Sequence, residues 1–260
     1  MVIIYHANCC DGFCCAYLLK NLFPDAELLP YNYGTPAPYL KDQDIIIADF
    51  SFSREECLEL KKNNKSLLIL DHHKSAAKEL EGLDFVVFNN EKSGARLVQE
   101  HFNIGPNWLI DYTEDRDLWR HKLEDTEEIN MGIRCFPFDL DVWASFTKAQ
   151  LKQVGSAALK YHSILVDQIL ANKYRAIMAD NYVIEVCNCT YSFASHVAGK
   201  LAEYNTFGVC WFVRGDKLYQ HSLRSIGDFD VGAYAKEFYG GGGHKNAGGF
   251  ESEVEECLSF

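Results

Sequence analysis

The sequence predicts an α/β protein in which an N-terminal doubly wound, mainly parallel sheet domain (1–146) is joined by a long helix (147–174) to a smaller α+β C-terminal domain (175–260). Three observations predict it. In the first half, Val2-Ile3-Ile4-Tyr5, Ile45-Ile46-Ile47-Ala48, Leu67-Leu68-Ile69-Leu70 and Phe85-Val86-Val87-Phe88 are apolar at consecutive positions and too short for helices. Strands covered on both faces have that pattern, and their alternation with helical stretches implies βαβ units with right-handed crossovers. Next, Leu151, Val154, Ala158, Tyr161, Leu165 and Ile169 recur near helical spacing between Thr147 and Tyr174. Beyond that helix, Tyr182–Cys187, Phe207–Val213 and Lys217–Leu223 read as strands, the last two joined by Arg214-Gly215-Asp216 as a hairpin turn.

Taken in order, the first strand closes on His6 and turns through Ala7-Asn8-Cys9-Cys10-Asp11-Gly12 into a buried helix, Phe13–Phe23, which Pro24 ends. Glu27–Tyr31 is a short strand and Gly34-Thr35-Pro36-Ala37-Pro38 a loop. The strand from Asp44 closes on Asp49. Ser53-Arg54-Glu55-Glu56 has capping-box spacing and opens a helix expected to turn Cys57, Leu58 and Leu60 to the sheet. The strand at Leu67 ends in Asp71-His72-His73. A short helix over Lys74–Glu81 precedes the Phe85 strand, and Ser93-Gly94-Ala95 opens the amphipathic segment Arg96–Phe102. Trp108 to Ala144 is mostly helical and carries Asp111, Asp115, Asp117, Trp119 and Arg120. Helices over Ser195–Glu203 and Val231–Tyr239 complete the second half.

An Asp can cap a helix and a His can be a satisfied surface residue, so one Asp-His-His says little alone. Here three buried strands end in His6, Asp49 and Asp71-His72-His73, and open parallel sheets bind ligands outside the carboxyl ends of their strands. That convergence predicts a metal centre. Oxygen and imidazole donors together suit Mn2+, with Mg2+ or Co2+ as alternatives. An ion held there can activate a water as a nucleophile.

The whole chain restricts the function further. It has 25 basic and 37 acidic side chains, a net charge of −12, whereas proteins that track long duplexes neutralise phosphates with a basic face. A short nucleic acid or nucleotide substrate fits better than long duplex. No stretch approaches the ~20 apolar residues of a membrane span and the N-terminus lacks a signal-peptide layout, so a cytoplasmic location is expected. The ten cysteines then read as reduced thiols, and Cys187-x-Cys189 has no second pair at zinc-knuckle spacing.

His6 to Asp11-Gly12, Asp49, Asp71-His72-His73 and Glu114-Asp115-Arg116-Asp117 resemble, in order, the four motifs of the DHH phosphoesterase family. Gly240-Gly241-Gly242-Gly243-His244 with Ala247-Gly248-Gly249 resembles the signature of its DHH-associated substrate domain. The resemblance covers nearly the whole chain. It implies a metal-dependent phosphodiesterase or phosphohydrolase of the nano-RNase, oligoribonuclease or cyclic-nucleotide phosphodiesterase kind. Its implied metal set is His6 and Asp11 on different ions, Asp49 between them, and His72 with Asp115 on the second. Asp71 would stand behind the metals or ligate weakly, and His73 would face the phosphoryl group as a catalytic cation beside Asp49 and Asp71.

Two positions stay open. Many family members have another Asp before the Asp-Gly, where this chain has Asn8 and Cys9, so Cys9 is either a soft ligand or a neutral packed thiol. In the fourth motif Asp115 is preferred over Asp117 by alignment. The glycine-rich run, Gly241, Gly242 and Gly243 with His244, is expected to offer backbone N–H groups to an anion, with Arg224 and Ser225 beside it holding a phosphate. The competing functions are a non-catalytic nucleotide-binding protein and a single-strand-specific exonuclease.

Overall fold

The computed structural model describes residues 1–254, 256, 258 and 259. It divides into two compact units, Met1–Leu159 and Lys160–Phe260.

The first unit begins with β1 (Val2–His6), α1 (Cys10–Leu22), β2 (Glu27–Tyr31), β3 (Asp44–Ala48) and α2 (Arg54–Asn63). It continues through β4 (Ser66–Asp71), α3 (Lys74–Glu79), β5 (Val86–Phe88) and α4 (Gly94–His101). The described strands form one parallel sheet in the order β2-β1-β3-β4-β5. The pairing Ile3↔Ile46 and Ile4↔Ile47 explains why these strands are apolar throughout. Ile3 and Ile46 face one core with Phe13, Cys15 and Leu19, while Ile4 and Ile47 face a second core with Cys57, Leu60 and Phe85. Each buried aliphatic side chain contributes ~1.5–3 kcal/mol, and both faces of the sheet collect it. Since β1 lies between β2 and β3, the chain reverses its winding there, and the carboxyl ends of β1 and β3 flank the switch point.

Ser53 and Glu56 form the expected capping box on α2. Leu58 departs from expectation. It is 45% exposed, because one step from Cys57 rotates a side chain about 100° off the buried stripe. After α4 the unit becomes helical, with α5 (Trp108–Asp117), α6 (Thr126–Arg134), α7 (Leu140–Ala144) and α8 (Lys148–Leu170). The unit boundary falls inside α8, which ends at Leu170 rather than Tyr174.

The second unit holds β6 (Tyr174–Ile177), β7 (Val183–Asn188), α9 (Tyr191–Ala202), β8 (Gly208–Val213) and β9 (Tyr219–Arg224). After these come α10 (Val231–Tyr239), β10 (Gly242–His244), β11 (Ala247–Ser252) and β12 (Leu258–Ser259). They form a mixed sheet in the order β10-β11-β9-β8-β7-β6-β12, with the β8–β9 hairpin where the sequence places it. The glycine-rich run differs from expectation. Gly240 closes α10 in a left-handed conformation, and the residues after it are not a loop but β10, paired with β11. Glycine serves close packing here. A Cβ on Gly241 would stand 2.2 Å from the Gly249 carbonyl oxygen, and one on Gly243 would stand 2.4 Å from that of Ala247.

Candidate metal centre

Four segments of the first unit deliver the site. β1 ends on His6, and the chain then turns through Asn8 in the left-handed region (φ 56°) to reach Cys9 and the first turn of α1. Gly12 is obligatory in this turn, since a Cβ would meet the His6 carbonyl oxygen at 2.2 Å. Asp49 follows β3, also left-handed (φ 56°), a conformation that short polar side chains tolerate best. β4 brings Asp71, His72 and His73. The last segment is the end of α5, fastened to α4 where the Arg96 guanidinium binds Asp111 at 2.7 Å and Glu114 at 3.0 Å.

The side chains converge on His72. Its Nε2 lies 3.0 Å from Asp49 Oδ1, 3.6 Å from Asp117 Oδ2 and 3.9 Å from Asp11 Oδ2. His6 Nδ1 lies 3.4 Å from Asp49 Oδ2. Three groups offer donor atoms within 4.8 Å of one another: His6, Cys9 and Asp49; Asp49, His72 and His73; Asp11, His72 and Asp117. The floor is dry and the rim is open. The Asp11, Asp49 and His72 side chains are at most 1% exposed, whereas those of His6, His73 and Asp117 are 22%, 24% and 25% exposed.

Burial and crowding set the charges. Burial, then the charges of Asp49 and Asp117, pushes Asp11 well above the usual carboxylate range, and burial likewise raises Asp117. For Asp49 burial acts upward but is outweighed by the His6 and His72 imidazoles, which hold it below that range. Burial acts against charging His72, yet Asp49, Asp117 and Asp11 prevail and carry its pKa up to about 10. His73 is raised as well, burial being overcome by Asp71. Burial and then the neighbouring carboxylates push the Cys9 thiol up.

A divalent metal fits this group on the structure's own terms. Buried Asp49 Oδ2, Asp117 Oδ2 and His6 Nδ1 have no hydrogen-bond partner among the described residues. Buried polar atoms are rarely left so, and a cation among three carboxylates would satisfy them.

The remaining expected residues fall as follows. Asp71 lies behind the cluster, where Oδ1 accepts the His72 and His73 N–H groups and meets His73 Nδ1 at 2.8 Å, orienting that ring. Asp115, preferred by alignment, is not brought to the group. Its carboxylate accepts the N–H groups of Lys122 (3.0 Å) and Leu123 (3.1 Å), and Asp117, two residues on, takes the place beside His72.

In the second unit, Arg224 pairs with Ala247 across β9 and β11, and Ala247 with His244 across β11 and β10. Arg224 and His244 therefore share one cross-strand row and one face. Arg224 also donates to Ser195 Oγ at 3.1 Å. Ser225 is buried, donating to the Phe229 carbonyl at 2.7 Å and accepting from Asn246 at 2.9 Å, so it holds the loop together rather than presenting a free hydroxyl.

Sequence reasoning missed Gly94 and Tyr33. The Gly94 and Ala95 N–H groups, at the start of α4, donate to Asp11 at 2.6 and 3.0 Å. A Cβ on Gly94 would stand 2.6 Å from that of Asp49. The Ser93 cap was the available signal. The Tyr33 ring packs against His6 (5.5 Å), His73 (5.6 Å) and Phe50 (4.8 Å) and lines a cavity of about 330 Å3 with Thr35, Pro36 and Phe50.

No family model matches the chain. Over its full length it is 30% identical to the uncharacterised protein R106 of Acanthamoeba polyphaga mimivirus, covering 69% of that protein. Its fold is shared with a pGpG-specific phosphodiesterase, PggH of Vibrio cholerae. That likeness has a TM-score of 0.52 and 15% identity, over 96% of this chain and 92% of the other. The DHH domain of a member of a family of ribosomal proteins matches at a TM-score of 0.53 and 14% identity, over 95% and 81%.

Proposed function

We propose that the chain, which belongs to one family with the mimivirus protein R106, is a DHH phosphoesterase, a metal-dependent phosphohydrolase of short oligonucleotides or small nucleotides; the order of its motifs and the fold it shares with a DHH domain support the reading. The observation that carries the reading is the convergence of Asp11, Asp49 and Asp117 on His72, with orphaned carboxylate oxygens at the switch point of a parallel sheet. A pGpG-specific phosphodiesterase on the same fold supports it.

Ions bound there, with Mn2+ the first candidate, supply Lewis acidity and lower the pKa of water enough to make a nucleophile at neutral pH. The residues do the rest. Asp49 belongs to the His6 group and to the His72 group, so its carboxylate would help to hold an ion at either. Asp11 and Asp117 add negative charge at the second position, and the Gly94 and Ala95 N–H groups fix the orientation of Asp11. His73, whose protonated form Asp71 favours and whose ring Asp71 holds, stands on the open rim, where a cation would stabilise the phosphoryl oxygens as charge builds up on them. Tyr33 beside it gives a base next to the reacting phosphate a surface on which to stack. In the second unit Arg224 and His244, which share one face of its sheet, are read as a pair that would suit an anionic group.

The test is product analysis. Protein stripped with EDTA and reloaded with Mn2+ is incubated with bis(p-nitrophenyl) phosphate, pGpG, short RNAs, short DNAs and cyclic nucleotides. Metal-dependent release of nitrophenol together with mononucleotides from short substrates is expected. A non-catalytic nucleotide-binding protein, the reading in which Cys9 in place of an Asp has cost a metal, would bind nucleotides and release neither product. Processive degradation of long single strands would instead identify a single-strand-specific exonuclease.

A further inference from the structure

We infer that Cys9 is a metal ligand, and that with His6 and Asp49 it makes one of the two metal positions selective for a borderline-soft divalent ion such as Co2+, Zn2+ or Fe2+ over Mg2+. The inference rests on the metal-centre reading of the preceding subsection and assigns this position its own chemistry. The Cys9 sulfur, a His6 ring nitrogen and an Asp49 oxygen lie within 4.8 Å of one another. Asp49 is 1% exposed, and its Oδ2, which has no hydrogen-bond partner among the described residues, is the oxygen that faces His6.

Apart from this group, the thiol meets the Gly12 N–H of the first turn of α1. Cys9 occupies the N-cap of α1, where Ser, Asn or Asp is preferred, and its side chain makes no capping hydrogen bond. Left-handed Asn8 and the Cβ-free Gly12 fold residues 6–12 tightly enough to return Cys9 to His6. A neutral thiol packed for its bulk alone would need neither an imidazole nor a carboxylate beside it.

The two positions then differ in kind. Asp11, His72 and Asp117 supply two carboxylates and an imidazole, a hard set suited to Mn2+. His6, Cys9 and Asp49 supply one donor each of nitrogen, sulfur and oxygen. Thiolate selects Zn2+, Co2+ and Fe2+ and disfavours Mg2+, which demands oxygen donors. On binding, the thiol loses its proton to solvent and its sulfur lone pair forms the bond to the ion, with no change of oxidation state.

Co2+ alone is the probe. Metal-free wild-type protein is titrated with Co2+ while bound metal is counted by equilibrium dialysis and the near-ultraviolet spectrum is recorded, because a thiolate bound to Co2+ gives a sulfur-to-metal charge-transfer band that oxygen and nitrogen donors lack. The expected result is a band in the wild type that persists in Cys10→Ser and disappears in Cys9→Ser and Cys9→Asp. Cys9→Asp should also bind Mn2+ more tightly than the wild type. Bound Co2+ without the band in the wild type, or a band lost in Cys10→Ser and kept in Cys9→Ser, would overturn the assignment of Cys9 and leave the metal centre standing. Absence of any bound Co2+ or Mn2+ in the wild type would overturn the metal-centre reading and Cys9 with it.

Discussion

Asp115 and Asp117 are two residues apart and do different work. Asp115 spends its carboxylate on backbone N–H groups of the turn after α5, whereas Asp117 leaves a buried oxygen unsatisfied beside His72. Asp115→Asn should therefore cost ~1–3 kcal/mol of stability, read as a lower Tm, through weaker charge-assisted bonds. Asp117→Asn should leave Tm unchanged or higher, because it removes charge repulsion. Its Mn2+ affinity should fall by more than the roughly 10–100-fold typical of a residue that only supports a ligand. The raised acids also fix a pH dependence. With folded-state pKa values above their unfolded values, Asp11 and Asp117 stabilise the metal-free fold at low pH, and that contribution is lost as pH rises through the raised values. His72 has the same sign: its contribution is full below the ordinary imidazole pKa, declines above it and is gone once pH passes about 10. Asp49 has the opposite sign and loses its contribution as pH falls below the usual carboxylate range. A metal must displace the proton that the surrounding carboxylates hold on His72. Mn2+ binding should accordingly release protons in weakly buffered solution, and Mn2+ affinity should rise with pH across the neutral range; pH-independent affinity would refute these charge assignments.

At the scale of elements, the start of α4 is as much a part of the centre as the strand ends. Its first N–H groups hold Asp11, and the missing side chain of Gly94 lets Asp49 approach. Gly94→Ala, harmless to a helix in isolation, should displace one carboxylate or the other and lower Mn2+ affinity about 10–100-fold with secondary structure intact, as calorimetry and circular dichroism would read. This element also marks where the sequence stops being legible. The strands of the first unit could be read because two cores bury both faces of the sheet, and His6, Asp49 and His72 because residues at strand ends are aimed by the strand itself. Asp117 could not be chosen over Asp115, because helix C-termini aim side chains by turn geometry that leaves no pattern in the residues. Gly94 was hidden for a related reason: glycine is selected there by what it lacks. In the second unit the run from Gly240 has the composition of a loop, and its pairing with β11 depends on a partner strand whose own glycines carry no apolar alternation.

For the whole molecule, the small anionic substrate proposed above would approach a chain of net charge −12, so its attraction would have to come from a cation held by the groups of His6, Cys9, Asp11, Asp49, His72, His73 and Asp117. If the second unit recognises the part of the substrate that does not react, Arg224→Ala and His244→Ala should lower kcat/KM on a dinucleotide by roughly tenfold to a hundredfold, the strength of a lost charge-assisted hydrogen bond. Hydrolysis of bis(p-nitrophenyl) phosphate, which lacks those groups, should hardly change. Equal losses on both substrates would place these residues in the catalytic centre or the fold. The proposed role of Asp49, a ligand shared by two metal positions that perform the chemistry, is tested by Mn2+ stoichiometry and turnover of Asp49→Ala beside the wild type, with circular dichroism as the folding control. A folded variant that has lost bound Mn2+ and shows no metal-dependent hydrolysis of any phosphate ester is expected from that role. A folded Asp49→Ala that binds as much Mn2+ as the wild type and turns over at its rate would contradict it.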